Sequence, residues 1–226
     1  NRCLPEGIEI VRRDFPRGEF RAVIFDFDGT LSLLRRNWQD VMIPMMVDIL
    51  SETGTPELRA DLYRHVEEFV MRLNGRQTIY QMIQLAQEVA QRGGRPLDPL
   101  AYKHRYHNLL WTQVGVRIES VRRGEVPPEL MTVPGSQQLL DQLRKVGLEL
   151  YLASGTDLNY VRQEAELLGL AEYFGTHIYG ALDDYKRFSK ALIIAQMIRD
   201  AGVAGRHIVG FGDGFVEMEE IKRVGG

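Results

Sequence analysis

The sequence predicts an α/β fold in which a Rossmann-like parallel sheet core, with helices on both faces, carries an inserted all-α cap domain. Three observations predict it. Short apolar runs rich in β-branched and aromatic residues occur at 22–25, 148–153 and 208–211, as in strands buried on both faces of a parallel sheet. After Pro134 these runs alternate with helical patterns. Between the first run and Pro134 the periodicity is helical alone.

The first half of the chain is expected to supply one central strand and then the insert. Residues 1–20 show little periodicity, with an edge strand predicted only at 8–11. After the strand at 22–25, apolar residues recur at helical spacing, and glycine and proline signals bound the later helices. The predicted helices of the insert are 38–49, 62–73, Thr78 to about Arg92, and about Pro99 to Val121. The methionines at 42, 45 and 46 are interpreted as core packing.

The second half alternates between helices and strands. Its predicted elements are a helix from Ser136 to about Val146, a strand at 148–153, a helix from near Leu158, a weaker strand at 177–179, a helix at 189–201, a strand at 208–211 and a helix from near Val216. A further strand is expected beyond Gly226. The predicted domains are a core of residues 1–33 and 131–226 and a helical cap of residues 34–130.

Composition excludes several classes of protein. A chain of 226 residues with 44% hydrophobic content can bury a full core. The net charge of −3 argues against a nucleic-acid surface, which needs a concentrated excess of Lys and Arg. The single Cys3 cannot form an internal disulfide, and the sequence has no signal peptide or long apolar span. The expectations are a cytoplasmic protein without membrane or nucleic-acid partners; the oligomeric state is not predicted.

Two carboxylates follow the central strand. In extended backbone, Asp26 and Asp28 project to the same side, so both can reach one cavity at the carboxyl end of the sheet. Two carboxylates at such a short distance repel each other unless a cation or a shared proton lies between them. A divalent metal would relieve this repulsion. The competing interpretation is that Asp-Phe-Asp-Gly-Thr is only a turn after the strand.

Residues 22–31 resemble the first motif of the haloacid dehalogenase-like superfamily of phosphatases, a hydrophobic strand followed by Asp-x-Asp-Gly-Thr. The other three motifs of that superfamily appear in order. A strand ends in Ser154-Gly155, which could also be a turn and helix cap. A lysine opens a later helix, and Lys190 is preferred to Lys186 for its place beside Ser189. The last strand is followed by Gly212-Asp213, with Glu217 four residues on.

This resemblance implies a role for each motif residue. Asp26 would be the nucleophile that forms an aspartyl-phosphate, and Asp28 the general acid and base. Ser154, Gly155 and Lys190 would hold the phosphoryl oxygens and offset their charge. Phe27 and Thr30 are assigned to substrate binding. The implied cofactor is Mg²⁺, held by Asp26, the Asp28 backbone carbonyl and Asp213, with Glu217 on a metal-bound water.

The position of the insert, between the first and second motifs, resembles that of mobile caps that close over small substrates. The expected partner is therefore a small phosphorylated metabolite, and a sugar phosphate is favoured. Candidate residues for substrate selection lie just after the first hinge and at a helix start; each also has a competing interpretation as ordinary surface or capping. They are Arg35, Asn37, Trp38, Gln77 and Thr78.

Three functions stay open from the sequence. The first is a Mg²⁺-dependent phosphatase, which the second acidic residue Asp28 favours over a dehalogenase. The second is a phosphomutase, which would pass the phosphoryl group to a sugar hydroxyl. The third is a non-catalytic binding or regulatory domain of a longer polypeptide. The five intact motif residues argue against it, and the terminal strand expected after Gly226 but missing from the sequence keeps it open.

Overall fold

The computed structural model describes residues 9, 11, 19–182, 189–200 and 202–226, and of Glu217 it describes the backbone alone. Ile8 and Ile10 of the predicted edge strand lie outside the described residues, as does Lys186, the less favoured lysine candidate. Among the described residues, no helix combines the length and the apolar character needed to cross a membrane.

In the part of the chain that the structure describes, four parallel strands form the sheet. They are β1 (Ala22–Phe25), β2 (Glu149–Asp157), β3 (Ile178–Ala181) and β4 (Ile208–Phe211). Their order is β3-β2-β1-β4, and each adjacent pair is parallel. Phe25 at the end of β1 lies beside Leu152 of β2 and Phe211 of β4. The residues that follow these three strands therefore meet at one edge of the sheet.

The side chains of β1 alternate between two hydrophobic cores, which explains why the strand is apolar throughout. Val23 and Phe25 pack into the larger core, which continues into the helices before β2. Ala22 and Ile24 pack into a smaller core on the other face. The predicted parallel α/β sheet with both faces covered is confirmed.

Four helices make up the insert between β1 and β2. They are α1 (Gln39–Ser51), α2 (Arg59–Arg72), α3 (Thr78–Gln91) and α4 (Pro99–Arg122). Met42, Met45 and Met46 are buried in the larger core, so the methionine stripe packs as predicted. Helix α4 begins where expected because Asp98 accepts a hydrogen bond from the Leu100 amide and Pro99 occupies the first turn.

The remaining helices cover the sheet. They are α5 (Ser136–Lys145), α6 (Leu158–Leu167), α7 (Ala171–Phe174), α8 (Lys190–Asp200) and α9 (Phe215–Arg223), with 3-10 turns at Pro128–Met131 and Gly205–His207. The short α7 was not predicted. Strand β2 runs to Asp157 rather than Ala153, because it pairs again with β3 at Ala181 after a register shift. Ser154 and Thr156 therefore lie on extended backbone and face the same side.

A network of ion pairs joins the second and third helices of the insert. Glu88, only 4% exposed, accepts hydrogen bonds from Arg92 Nη1 at 2.7 Å and from Gln84 Nε2 at 2.7 Å, and lies 2.8 Å from His65 Nε2. Arg92 also donates to Glu57. Burial alone would raise the pKa of Glu88, but these hydrogen bonds outweigh it and lower the pKa below its usual value.

We expect Glu88→Gln to lower the free energy of unfolding by about 1–3 kcal/mol at neutral pH, because buried donors lose their anionic acceptor. Since the folded-state pKa of Glu88 is lowered, its contribution is complete above the unfolded-state pKa and is lost as pH falls through the folded-state pKa. Urea unfolding of the parent and of Glu88→Gln at neutral and acidic pH measures the difference in their free energies of unfolding. This difference should be smaller at acidic pH.

The matched control is Glu119→Gln, because Glu119 pairs with Arg123 on an exposed helix surface. Glu119→Gln should lower the free energy of unfolding by less than about 0.5 kcal/mol. Equal losses in the two variants, or a Glu88→Gln loss that does not depend on pH, would contradict the assignment of stability to this network.

Candidate active site

Asp26 is the first residue after β1 and is nearly enclosed, with 6% of its surface exposed. Its amide donates a hydrogen bond to the Phe211 carbonyl at 2.9 Å, which continues the β1–β4 ladder by one residue. Lys190, at the start of α8, donates from Nζ to Asp26 Oδ1 at 2.6 Å and is itself 5% exposed. The sequence-preferred lysine is thus the one paired with the candidate nucleophile.

The charge of Asp26 is balanced between opposing effects. Burial raises its pKa most, the Lys190 ammonium lowers it, and the nearby carboxylates of Asp28 and Asp213 raise it again, to about 6. Three carboxylates from the first and fourth motifs therefore converge at the sheet edge. The buried Lys190 ammonium lies where this negative charge is concentrated.

Asp28 is held by two hydroxyls from β2. Ser154 Oγ donates to Asp28 Oδ2 at 3.1 Å, and Thr156 Oγ1 donates to the same oxygen at 2.8 Å. The two hydroxyls reach one carboxylate because residues 154 and 156 project to the same side of an extended strand. Thr156 was not predicted as a site residue. Its spacing of two from Ser154 was the available signal, and the shorter predicted strand concealed it.

Asp213 packs directly over the turn that follows Asp28. Gly29 has φ +82°, in the left-handed region that favours glycine, and a Cβ added there would collide with the Asp213 carboxylate. Asp213 as a whole is exposed, yet partial burial of its carboxyl raises its pKa, and the charge of Asp28 raises it further. The glycine of the first motif thus gives the acid of the fourth motif room to approach.

The described donors fit a magnesium ion. Mg²⁺ in proteins is commonly bound through one or two carboxylates, and waters and substrate phosphate complete its octahedron. Asp26 and Asp213 supply two such carboxylates, whose charges act on each other across the sheet edge. Among the described residues, no group of three or more His, Cys, Asp and Glu side chains is arranged to hold a metal ion without other ligands. The Glu217 side chain lies outside the described residues.

A cavity of about 70 Å³ opens beside these carboxylates, between the sheet edge and the insert. The predicted residues that line it are Asp26, Asp28, Ser154, Gly155, Arg35, Trp38 and Thr78. The lining also includes Thr156 and, from the insert, Arg76, Gln81 and Tyr106, which were not predicted.

Four predicted substrate-binding residues do not line this cavity. Phe27 is fully buried in the larger core, and its carbonyl accepts the amides of Thr30, Leu31 and Ser32, so it shapes the loop. Thr30 Oγ1 is buried with no hydrogen-bond partner. Asn37 is exposed with φ 65°, and Gln77 is buried at the start of α3. Their assignment to substrate binding gains no support from the lining and stays a prediction.

Arg35 makes a buried ion pair that was not predicted. Its Nε and Nη2 donate to Glu164 of α6, with the shortest distance 2.6 Å, and Nε lies 3.9 Å from Asp28 Oδ1. The Arg35 guanidinium also lies 5.4 Å from the ring centroid of Tyr160. Because Glu164 anchors the guanidinium, Arg35 is a fixed wall of the cavity rather than a mobile surface charge.

Two further contacts join the insert to the end of β2. Lys103 Nζ of α4 donates to Asp157 Oδ1 at 2.5 Å. Gly155 lies so close to the loop before α3 that an added Cβ would be 2.5 Å from the Arg76 carbonyl oxygen. The cavity is therefore covered by the insert on the side facing away from the sheet.

Comparison with known proteins bears on the family and on the fold. A family profile of haloacid dehalogenase-like hydrolases matches residues 20–225. No curated protein matches the sequence. Among solved structures, a predicted phosphoglycolate phosphatase from Haemophilus somnus has a TM-score of 0.59 at 16% identity, over 93% of this chain and 84% of that one.

Two other solved structures show the same fold. The β-phosphoglucomutase of Clostridium difficile has a TM-score of 0.59 at 14% identity, over 91% of this chain and 81% of that one. CbbY from Rhodobacter sphaeroides, in complex with phosphate, has a TM-score of 0.55 at 19% identity, over 91% and 83%.

Because Asp213 approaches Gly29 so closely, adding one methyl group at position 29 is expected to affect Mg²⁺ binding. We expect Gly29→Ala to weaken Mg²⁺ binding by about tenfold or more, because the new Cβ displaces a carboxylate from the proposed site. Isothermal titration with MgCl₂ measures the dissociation constant of each variant for Mg²⁺. The matched control is Gly54→Ala, since Gly54 has φ +76° but nothing within 4 Å of an added Cβ.

Both substitutions carry the same left-handed backbone penalty of about 1–2 kcal/mol in folding stability. Only Gly29→Ala should change the dissociation constant for Mg²⁺. Equal Mg²⁺ binding in the two variants would contradict the placement of the metal between the first and fourth motifs.

Proposed function

The chain belongs to the haloacid dehalogenase-like hydrolases, and from that premise we propose that it is a Mg²⁺-dependent phosphatase acting on a small phosphate monoester through an aspartyl-phosphate. The observation that carries this proposal is the buried Lys190–Asp26 pair, with Asp28 and Asp213 converging on it inside a covered cavity. A domain that only binds has no need to bury a carboxylate among two others, because this arrangement destabilises the fold.

In the proposed first step, the Asp26 carboxylate attacks phosphorus and the bond to the leaving oxygen breaks. Lys190 orients Asp26 and offsets the negative charge that develops on the phosphoryl group. Asp28 gives its proton to the leaving oxygen, so that the product leaves as an alcohol. Bound Mg²⁺ would screen the repulsion between the carboxylate of Asp26 and the phosphate dianion.

In the second step, Asp28 takes a proton from a water molecule, and the water oxygen attacks phosphorus. The bond between phosphorus and the Asp26 oxygen then breaks, which releases inorganic phosphate and regenerates the Asp26 carboxylate. Ser154 and the Gly155 amide are proposed to hold phosphoryl oxygens. In the described structure the Ser154 hydroxyl instead donates to Asp28. When Ser154 turns to the phosphoryl group, Thr156 is left to hold Asp28.

We propose that residues 34–130 act as the cap over this site. The Lys103–Asp157 pair and the contact of Gly155 with Arg76 support this proposal, because they place the insert against the end of β2. A covered cavity of about 70 Å³ favours small soluble esters over phosphoproteins. Trp38 and Thr78 are the predicted selection residues that line it.

Release of p-nitrophenol from p-nitrophenyl phosphate tests the proposal. We expect activity that requires Mg²⁺, is lost with EDTA, and falls by about 10³-fold or more in Asp26→Asn, because an amide cannot act as the nucleophile. The matched control is Asp40→Asn, an exposed acid in the first turn of α1, which should retain full activity.

Activity retained in Asp26→Asn would contradict the aspartyl-phosphate mechanism. A folded, Mg²⁺-bound parent that isomerises a sugar phosphate without releasing free phosphate would identify a phosphomutase instead.

If the Thr156 hydroxyl positions Asp28, its removal should lower activity to an extent that depends on the leaving group. We expect Thr156→Val to lower kcat/KM for glycerol 3-phosphate by about tenfold, the equivalent of one hydrogen bond, because Asp28 then protonates a poor leaving group less effectively. For p-nitrophenyl phosphate, whose phenolate leaves readily without a proton, the loss should be about threefold or less.

Thr156→Ser keeps the hydroxyl and should preserve both values. Equal losses on the two substrates would mean that Thr156 supports the fold of the site without positioning Asp28.

A further inference from the structure

A second cavity adjoins the catalytic one and has no role in the proposed chemistry. This side cavity, of about 190 Å³, lies between α4 and α6. It is lined by Arg35, His107, Asn108, Leu110, Trp111 and Tyr160. Arg35, His107 and Leu110 also line the catalytic cavity, so the two spaces share one wall.

The contents of the two walls assign different parts of a substrate to the two cavities. The catalytic cavity borders Asp26, Asp28 and Ser154, where the phosphoryl group is placed. A leaving group attached to that phosphoryl group can extend into the side cavity, because Arg35, His107 and Leu110 line both spaces.

Aromatic rings dominate the wall of the side cavity. The rings of Trp111 and Tyr160 are 5.7 Å apart at a tilt of 39°, and the imidazole of His107 meets Tyr160 edge-on at 5.9 Å. Trp111 is 44% exposed, although it lies on the side of α4 that faces α6 and the cavity. Exposed aromatic faces beside a cavity bind rings by stacking.

Gly115, one turn after Trp111, helps to place the indole. A Cβ at this position would be 3.2 Å from Trp111 Nε1, so the indole would have to shift by a few tenths of an ångström. Glycine inside a helix costs about 1 kcal/mol relative to alanine. Gly115 therefore lowers the stability of α4 at a position where the lack of a side chain leaves room for the Trp111 indole.

The charges around the side cavity are already paired. Arg35 is anchored by two hydrogen bonds to Glu164, and Lys103 pairs with Asp157. Burial lowers the pKa of His107 to about 4, so its imidazole is neutral at neutral pH. No surplus cation among these described groups is available for a second anionic group. The neutral imidazole and the Asn108 amide can instead meet hydroxyl or carbonyl groups.

From these contacts we propose that the side cavity binds a ring of the leaving group, and that the substrates are phosphate monoesters whose alcohol carries an uncharged ring with an apolar face. This inference rests on the proposed function, since it places the phosphoryl group at Asp26. The ring of a sugar and the ring of an aryl or heteroaryl group share the required chemistry.

Phosphonates test the side cavity without turnover. Isothermal titration in the presence of Mg²⁺ compares phenylphosphonate with methylphosphonate on the parent, Trp111→Ala and Val116→Ala. Val116 is the matched control because it lies on the same helix, is 65% exposed and does not line either cavity. We expect the parent to bind phenylphosphonate about tenfold more tightly, as one stacking contact provides.

Trp111→Ala should remove most of this preference, and Val116→Ala should leave it unchanged. Equal affinity of the parent for the two phosphonates, failure to bind either, or a preference that survives in Trp111→Ala would each overturn the proposal. Because no bond is broken, these outcomes do not depend on whether the chain is a phosphatase.

A kinetic comparison separates the two sources of the ring. kcat/KM is measured for glucose 6-phosphate, 1-naphthyl phosphate and glycerol 3-phosphate. A Trp111→Ala loss of about tenfold, expressed in KM and confined to one or both ring-bearing esters, supports the proposal and identifies the ring. An equal loss on all three esters would show that Trp111 is only structural.

Discussion

The buried pair of Lys190 and Asp26 is the interaction on which the site depends. A carboxylate at the end of the central strand, 6% exposed and close to Asp28 and Asp213, would be driven to bind a proton if no cation were present. Lys190 reaches it from the first turn of α8, across the carboxyl edge of the sheet. The pair keeps Asp26 available as an anion, but at the cost of a buried charge on each partner.

The parallel sheet makes this pairing possible. Strands β2 and β4 flank β1, so the residues after all three strands lie at one edge although they are far apart in sequence. Two close approaches depend on the absence of a side chain. Gly29 admits the Asp213 carboxylate, and Gly155 admits the backbone of the insert. The candidate catalytic residues and the helices of the insert are thus fixed by the same few contacts at the strand ends.

The insert divides the space above this edge. Arg35, anchored by Glu164, stands between a small polar cavity beside the carboxylates and a larger aromatic cavity beside α4. Our proposals place a phosphoryl group in the first of these spaces and a neutral ring in the second. Because Arg35 belongs to the segment that links the first motif to the insert, a change in how the insert sits would alter both spaces together.

The sequence by itself determined the order of strands and helices, the two faces of the sheet, and the residues most closely tied to the chemistry. Apolar periodicity and short motifs are local signals, and they predicted Asp26, Asp28, Ser154, Lys190 and Asp213 at the ends of elements. It did not predict Thr156, since the strand end at Asp157 depends on pairing with β3. Nor did it predict the Arg35–Glu164 pair or the aromatic wall of Trp111 and Tyr160. These features join residues distant in sequence, and no local pattern encodes which helix faces meet when the insert packs on the sheet.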